Sequence, residues 1–311
     1  MTQTSSTNAP HAFAGNPLDR ANLLRRDPAW LEERLRDPST RIVAFNRLDV
    51  LIDGNEPPRL LWLDAGVLPS VDGRAEPIFL GLDGAAPRWA LDVSSLDDPA
   101  RALGLPEGAR FAEVRAAADL LPGVETAIAA EARSLVDWHA RHGYCAVCGQ
   151  PTAPRLGGLV RKCDACNAEH YPRVDPVVIM VVTDGDRCLL AHGRGRPGRS
   201  YTNLAGFVEP GETIEEAVRR EVREEADIEV AAVRYHSSQP WPFPSSLMIG
   251  CIAEAASERI DVDPEELEDV RWFSRADVLR ALDGASEEEL GFRIPPPITI
   301  SHQLLKAWAA S

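Results

Sequence analysis

The chain has 311 residues, of which 44% are hydrophobic and 26% charged, and its formal net charge is -15. This length and composition indicate a globular protein of about two domains, and the acidic balance argues against unguided attachment to nucleic acid or anionic membranes. No stretch approaches the roughly 18 apolar residues of a membrane span, and the first residues lack the basic and apolar regions of a signal peptide. We therefore expect a cytoplasmic protein with no membrane partner.

The N-terminal part of the chain predicts a tail and a small domain. Residues 1–18 are small and polar without periodicity, which is typical of a disordered tail. From about residue 20 to 110, short apolar runs alternate with Asp-Gly and Pro-rich turns, which predicts a strand-rich fold. The stretch from Val124 to His142 predicts one helix. We place an N-terminal α+β domain at residues 19–142, and we recognise no internal repeat in the sequence.

Four of the six cysteines fall in two pairs, and two residues separate the members of each pair. Each pair fits a tight turn, and two such turns surround one tetrahedral ion, so the spacing predicts a four-thiolate zinc ribbon over residues 143–172. Four protein ligands leave no position for substrate, which makes the Zn²⁺ structural. A redox dithiol is the alternative, and a ribbon that binds RNA is another. The expected zinc ligands are Cys145, Cys148, Cys163 and Cys166.

The C-terminal part mixes strands and helices. Two β-rich runs are joined through Asp184-Gly185, which is a hairpin signal. A helix, an apolar run, an acidic segment and a short amphipathic helix follow. This mixture predicts an α+β or layered α/β domain over residues 173–311.

The stretch GFVEPGETIEEAVRREVREEADI, residues 206–228, carries acidic residues at fixed spacing. Thr213 and Glu216 form a capping box that starts a helix, and apolar residues at helical spacing predict its buried face. Three glutamates crowd another side of this helix, namely Glu221, Glu224 and Glu225. Like charges this close destabilise the helix unless a cation lies among them, and carboxylates are the ligands that Mg²⁺ and Mn²⁺ prefer. A solvated acidic face is the alternative for this helix taken alone.

This stretch resembles the box of the Nudix hydrolases, Gly-x5-Glu-x7-Arg-Glu-aliphatic-x-Glu-Glu-x-Gly-aliphatic. Every position matches except Asp227, where the family has a glycine. That residue would follow the helix in a left-handed conformation, which aspartate adopts at a cost of about 1 kcal/mol. The resemblance implies an α/β/α sandwich and the hydrolysis of a nucleoside diphosphate linked to another moiety. It also implies that the three glutamates bind catalytic Mg²⁺ or Mn²⁺, that Arg220 orients them, and that the carbonyl of Ala205 joins the metal shell.

A proline-rich loop, SQPWPFPSS, begins ten residues beyond the box. Proline fixes φ and has no N–H, so the loop presents Trp241 and Phe243 in fixed directions, either to fill the core or to contact a ligand. The loop resembles the signature of the NADH pyrophosphatase family within the Nudix hydrolases, which also carries a four-cysteine zinc ribbon before the Nudix domain. This resemblance runs from about Cys145 to the C-terminus and extends more loosely over the N-terminal domain.

The family resemblance implies metal-dependent cleavage of NAD(H) to nicotinamide mononucleotide and AMP, and removal of NAD caps from RNA 5′ ends by a homodimer. It implies that Phe207 stacks on a base or nicotinamide, that Tyr171 reaches substrate across the dimer interface, and that Glu266 is a further metal ligand. The other residues implied at the substrate are Gln239, Pro240, Trp241, Pro242, Phe243, Pro244, Ser245, Ser246 and Ser301. A non-catalytic nucleotide sensor on the same scaffold is the alternative.

A Gly-rich basic loop precedes the box. It contains a histidine and three arginines, His192, Arg194, Arg196 and Arg199. A solvated surface loop and contact with a substrate phosphate are the two interpretations that stay open.

Overall fold

The computed structural model describes residues 11–71, 76–262 and 264–311. The chain divides into two compact units. The first unit comprises Met1–Arg173 and Trp241–Ser245, and the second comprises Val174–Pro240 and Ser246–Ser311. Within the described ranges, no helix is long and apolar enough to cross a membrane.

The first unit contains a six-stranded sheet in the order β4-β5-β1-β2-β6, with β3 paired to β1. Its strands are β1 (Arg41–Asn46), β2 (Asp49–Ile52), β3 (Trp62–Asp64), β4 (Ile78–Asp83), β5 (Ala86–Asp92) and β6 (Arg110–Ala112). Its helices are α1 (Pro28–Leu35), α2 (Pro99–Ala102), α3 (Val114–Ala117) and α4 (Gly123–Arg141), with short 3-10 helices at Leu24–Arg26 and Ala65–Val71. Apolar side chains of the sheet, such as Ile42, Phe79 and Leu91, form the core. The strand-rich domain and the helix before the first cysteine pair are confirmed.

The segment from residue 11 to residue 18 is folded, which corrects the expectation of a disordered tail over residues 1–18. Phe13 and Leu18 are buried, at 2% and 6% exposure. Asn16 Nδ2 donates a hydrogen bond to Glu131 Oε2 at 2.8 Å. The low hydrophobicity of the segment was misleading, because two buried apolar side chains and one long-range hydrogen bond anchor it. Residues 1–10 lie outside the described residues.

The zinc ribbon region forms a three-stranded antiparallel sheet in the order β7-β8-β9. Its strands are β7 (Thr152–Arg155), β8 (Val160–Cys163) and β9 (Glu169–His170), and a 3-10 helix spans Leu156–Gly158. The second cysteine pair begins at the end of β8, and the first pair lies in the turns before β7. The sheet therefore brings the two pairs to one end of the ribbon.

The second unit contains a six-stranded sheet in the order β13-β14-β10-β11-β15, with β12 paired to β10. Its strands are β10 (Asp175–Asp184), β11 (Arg187–Gly193), β12 (Leu204–Phe207), β13 (Val230–Trp241), β14 (Ser246–Ala255) and β15 (Leu267–Ser274). Its helices are α5 (Ile214–Ala226), α6 (Arg275–Leu282), α7 (Glu287–Leu290) and α8 (Ile300–Ala309). The predicted hairpin is confirmed, since Asp184 pairs with Arg187.

Two separate cores cover the two faces of this second sheet. Val218 and Val222 of α5 pack into one core, and Val278 of α6 with Leu304 and Leu305 of α8 packs into the other. The helix α5 buries its apolar stripe and leaves its carboxylates to face elsewhere. The α/β/α sandwich predicted from the family resemblance is therefore confirmed.

The two six-stranded sheets have the same strand topology. In each, the first strand pairs antiparallel with the second and third strands and parallel with the fifth, and the second strand pairs antiparallel with the sixth. The third and fourth strands of the second sheet are connected through α5, whereas the first sheet has the 3-10 helix Ala65–Val71, which carries no acidic residue. We recognise no repeat in the sequence, and the strand order shows one that the sequence pattern does not reveal.

Candidate active site and zinc site

The helix α5 carries the carboxylates, and local signals fix both of its ends. Thr213 Oγ1 accepts from the N–H of Glu216 at 3.2 Å, and Glu216 Oε2 accepts from the N–H of Thr213 at 2.7 Å, so the predicted capping box is confirmed. Asp227 follows the helix with φ 54° and ψ 31°, and its N–H donates to the carbonyl of Arg223. The left-handed conformation expected at this departure from the Nudix box is therefore present.

Gly206 lies on β12 directly beneath the carboxylate of Glu221. A Cβ atom built at Gly206 would lie 1.9 Å from the carboxyl carbon of Glu221, far inside van der Waals contact. The backbone of Gly206 is not in the left-handed region, so the glycine is required for space and not for conformation. Its missing side chain allows the carboxylate to lie on the strand.

Arg220 holds together three acidic residues of the box. Its guanidinium donates to Glu212 at 2.6 and 2.9 Å, to Glu221 Oε1 at 2.8 Å and to Glu224 Oε2 at 2.9 Å. It also donates to the carbonyl of Phe207 at 2.9 Å. The hydrogen bond from Arg220 lowers the pKa of Glu212 to about 2. Glu212, to which the sequence assigned no role, thus serves as the fixed counter-charge of Arg220.

Glu225 is the most constrained carboxylate of the site. It is 7% exposed, and its Oε2 atom is buried with no hydrogen-bond partner among the described residues. Burial, together with the negative charges of Glu221 and Glu266, raises the pKa of Glu225 to about 8, although a backbone hydrogen bond from Ala205 opposes the shift. Burial likewise raises the pKa of Glu221.

These carboxylates fit a hard divalent cation. A buried carboxylate oxygen without a partner, among negative charges that raise its pKa, is stabilised by a positive ion with oxygen ligands. Glu266 precedes β15, and its negative charge helps to raise the pKa values of Glu221 and Glu225. Glu224, on α5, is exposed to solvent. In the described part of the chain, only the four cysteines have three or more ligand atoms within 4.8 Å of one another. The carboxylate oxygens of the glutamates therefore do not converge within this distance, whereas the four cysteine sulfurs do.

The four predicted zinc ligands converge on one point. Their sulfur atoms lie within 4.8 Å of one another, with Cys145 3.6 Å from Cys166 and Cys148 3.5 Å from Cys163. A tetrahedral ion with Zn–S bonds of about 2.3 Å separates its sulfurs by about 3.8 Å. The short distances join one cysteine of each pair, which favours a shared metal over a redox dithiol within one pair. The N–H of Val147 donates to Cys145 Sγ, and His170 Nε2 lies 3.3 Å from it.

The rings of the proline loop pack within the first unit. Trp241 and Phe243 each meet the ring of Phe13 edge-on, with centroids 5.7 and 5.6 Å apart. Arg115 lies over Trp241, and Arg133 lies over Phe243. The loop therefore does not fill the Nudix core, and its rings are held by side chains from the N-terminal part of the chain. Its contact with substrate stays a prediction.

Two predicted substrate residues use their side chains inside the fold. Gln239 is fully buried; its Nε2 donates to the carbonyl of Ile298 at 2.7 Å, and its Oε1 accepts from the N–H of Ile300 at 2.7 Å. Ser301 is 3% exposed, and its Oγ donates to Asn203 Oδ1 at 2.6 Å. These contacts fix the start of α8, so the two side chains serve the fold.

The two predicted stacking residues are exposed. Phe207 is 61% exposed and Tyr171 is 62% exposed, and the hydroxyl of Tyr171 donates to Glu169 Oε2 at 2.8 Å. An aromatic ring with that exposure is available to a ligand or to a partner surface. Their roles at the substrate stay predictions.

The basic loop before the box is anchored to the turn that holds Glu266. Arg194 Nη1 donates to the carbonyl of Pro264 at 2.7 Å, and the N–H of Arg194 donates to the carbonyl of Glu266 at 3.4 Å. His192 Nε2 lies 3.2 Å from Oε2 of Glu268, the second residue of β15. Neither open interpretation of the loop foresaw this attachment, because the partners lie some 70 residues away in sequence.

Known families match this chain over most of its length. A NUDIX domain matches residues 173–293, an NADH pyrophosphatase zinc ribbon domain matches residues 140–171, and an NADH pyrophosphatase-like rudimentary NUDIX domain matches residues 39–138. The rudimentary NUDIX match covers strands β1 to β6 of the first unit, whose order is the same as that of the six strands in the second unit. The sequence match and the topology thus identify the same duplication.

The curated relatives carry two kinds of name. NAD-capped RNA hydrolase NUDT12 of Macaca fascicularis is 39% identical, over 95% of this chain and 72% of that protein. NAD-capped RNA hydrolase NudC of Deinococcus radiodurans is 37% identical, over 79% of this chain and 83% of that protein. NAD(P)H pyrophosphatase NUDT13, mitochondrial, of Homo sapiens is 42% identical, over 64% of this chain and 59% of that protein. Because the first match covers more than two thirds of both chains, and because box, ribbon and loop occur together, this chain belongs to the NADH pyrophosphatase family of Nudix hydrolases.

Proposed function

We propose that this chain hydrolyses the pyrophosphate bond of NAD(H), releasing nicotinamide mononucleotide and AMP, and that it removes NAD caps from RNA 5′ ends by cutting the same bond. The observation that carries the proposal is the buried, unpartnered Oε2 of Glu225 among the negative charges of Glu221 and Glu266. A solvated acidic helix face would not bury such an atom. The names of the relatives supply the substrate class.

The site residues act by holding charge in place. Glu221, Glu224, Glu225 and Glu266 would hold Mg²⁺ or Mn²⁺, with the carbonyl of Ala205 beside them. The bound ion neutralises the pyrophosphate oxygens and activates water for attack at phosphorus. Arg220 keeps Glu221 and Glu224 on one side of α5 through its own hydrogen bonds. Glu225 must lose its proton before it can act as a ligand, because its pKa is raised to about 8.

The test compares kcat/KM on NADH, NAD⁺, ADP-ribose and NAD-capped RNA with Mg²⁺ and with Mn²⁺. We expect metal-dependent release of AMP from NADH and of 5′-monophosphate RNA from the capped transcript. The Glu225→Gln variant is the matched control for contaminating hydrolase activity. Absence of metal-dependent turnover on all four substrates, with nucleotide binding intact, would instead favour the non-catalytic sensor. The intact set of box carboxylates argues against that alternative.

We propose further that the chain forms a homodimer in which Tyr171 reaches the substrate of the partner subunit. The exposed ring of Tyr171 supports this, as a surface available to a partner. Light scattering coupled to gel filtration measures the mass, and Tyr171→Ala should raise the KM for NADH without changing zinc content. A monomer of 33.9 kDa with full activity would contradict the proposal. The cytoplasmic location stays a prediction.

A further inference from the structure

The first unit carries a cluster of three aromatic rings whose members lie far apart in the sequence. Phe13 lies near the N-terminus, Trp241 is the last residue of β13, and Phe243 lies in the turn between β13 and β14. The three centroids are 5.3 to 5.7 Å apart, and all three pairs meet edge to face. Phe13 is 2% exposed, so the loop rings and their neighbours cover it almost completely. Such a mutual arrangement fixes both loop rings in position and direction.

Two arginines of the first unit complete this cluster. The guanidinium carbon of Arg133, on α4, lies 4.7 Å from the ring centroid of Phe243, and that of Arg115, on α3, lies 5.3 Å from the centroid of Trp241. Arg133 also donates a hydrogen bond to the carbonyl of Pro242. The strand β13 ends at Trp241, and Pro242 and Pro244 in the turn that follows have no N–H to donate. The side chains of the first unit supply contacts that the loop backbone cannot make.

Arg133 is partly buried beside acidic groups. Burial lowers the pKa of Arg133, and the negative charges of Asp137, Glu113 and Asp49 oppose that shift. The contacts that orient the guanidinium are those with the Phe243 ring and the Pro242 carbonyl. A planar guanidinium can stack on a ring and donate to a carbonyl at the same time, which an ammonium group cannot reproduce.

We propose that the rudimentary N-terminal domain positions the proline loop for nucleotide recognition, and that Arg133 and Phe13 are the positioning residues. This inference rests on the proposed function, because it takes the loop to contact NAD(H). It gives the N-terminal domain a role in substrate recognition, although the 3-10 helix that follows its third strand has no acidic residue, unlike α5. Without these two side chains the proline loop samples conformations that do not bind substrate. Because only a fraction of the protein then has the binding conformation, KM rises more than kcat falls.

The experiment uses Arg133→Gln and Phe13→Leu in the full chain, with Arg36→Gln as the control in the same unit. Arg36 is exposed and pairs with Glu32 of α1, so the control removes an arginine that acts neither on the loop nor on Arg133. We expect the KM for NADH to rise about tenfold in both test variants, because Arg133→Gln loses a cation–π contact and Phe13→Leu loses two edge-to-face ring contacts. We expect kcat and the Mn²⁺ concentration for half-maximal activity to change less than about twofold, since the carboxylates lie on other elements. Arg133→Lys should restore only part of the affinity.

A second measurement is independent of turnover. NADH fluorescence without added Mg²⁺ or Mn²⁺ reports binding to the zinc-loaded protein in the absence of turnover, and the same loss of affinity should appear there. An unchanged KM and unchanged NADH affinity in Arg133→Gln would overturn the proposal, as would a fall in melting temperature with KM preserved. If Phe13→Leu does not fold, Arg133→Gln decides. A wild-type protein that binds NADH but does not cleave it refutes the proposed function alone, and one that does not bind NADH refutes both.

Discussion

At Gly206 a single hydrogen atom leaves room for the carboxylate of Glu221. We expect Gly206→Ala to fold almost normally, because the atoms that the new methyl group meets are the far end of a flexible side chain. The methyl group must nevertheless displace that carboxylate, so kcat should fall by about 10²-fold or more. Steady-state kinetics and a thermal melt of the same preparation test both statements. A variant with normal kcat would show that the position of Glu221 does not matter for catalysis.

Glu225 gives the second prediction at this scale. Glu225→Gln keeps the size of the side chain and removes the charge that would hold the ion, so we expect kcat to fall by about 10²- to 10⁴-fold. Zinc content, measured by elemental analysis, should stay at one per chain, because the ribbon is a separate element. Near-normal turnover would show that the charge of Glu225 on α5 is not required for catalysis.

At the scale of elements, the end of α5 differs from the family box. Asp227 stands in the left-handed conformation with φ 54°. We expect Asp227→Gly to raise the free energy of unfolding by up to about 1 kcal/mol, since glycine has no Cβ to strain in this conformation. Denaturant unfolding measures the change, and kcat should be unaffected. A large change in kcat would mean that the loop after α5, and not only its stability, contributes to the site.

The zinc ribbon gives the second prediction for an element. Cys163 is fully buried at the end of β8, and its sulfur is one of the four that converge. Because a closed four-ligand site contributes folding free energy directly, we expect Cys163→Ser to lose zinc and to lower the melting temperature clearly. Cys251→Ala is the control, since Cys251 is buried away from the four ligands and its loss should leave zinc content unchanged. A zinc-free, stable and fully active Cys163→Ser would contradict the structural assignment.

At the scale of the whole molecule, Glu225 links the stability of the protein without Mg²⁺ or Mn²⁺ to pH. Its pKa rises from 4.5 in the unfolded chain to about 8 in the folded state. Its contribution to stability is therefore fully present below pH 4.5 and is lost as the pH rises through about 8, because ionisation inside the fold is unfavourable. We expect the melting temperature of the zinc-loaded protein, without added Mg²⁺ or Mn²⁺, to fall between about pH 5 and about pH 8. The Glu225→Gln variant should show a shallower fall, and equal slopes would contradict the assignment.

The sequence predicted features that depend on neighbours along the chain. The capping box at Thr213, the left-handed Asp227 and the hairpin at Asp184-Gly185 are each decided within a few residues, and all three are confirmed. The cysteine spacing was equally informative about the zinc site, because a tetrahedral ion requires four sulfurs at fixed distances from one another. Local physics and the family box therefore located the site and its helix.

What the sequence did not predict depends on partners far away in the chain. Phe13 lies in a segment that is polar on average, and its ring packs on Trp241 and Phe243, which lie more than 200 residues later. Gln239 belongs to a conspicuous motif, yet its side chain binds the backbone at Ile298 and Ile300. A pattern in sequence shows which residues are unusual, but tertiary contacts decide whether a side chain faces a ligand or the fold.

The repeated strand order has a consequence for how catalysis can be gained and lost. In the first sheet, the connection between the third and fourth strands contains the 3-10 helix Ala65–Val71, which has no acidic residue, and in the second sheet it contains α5. Both sheets keep their pairing and their buried cores. The catalytic residues of this fold thus lie largely on one connection between strands, and that connection can change without loss of the sheet. A sheet whose connection lacks the mutually repelling glutamates of α5 can diverge in sequence and serve as a scaffold.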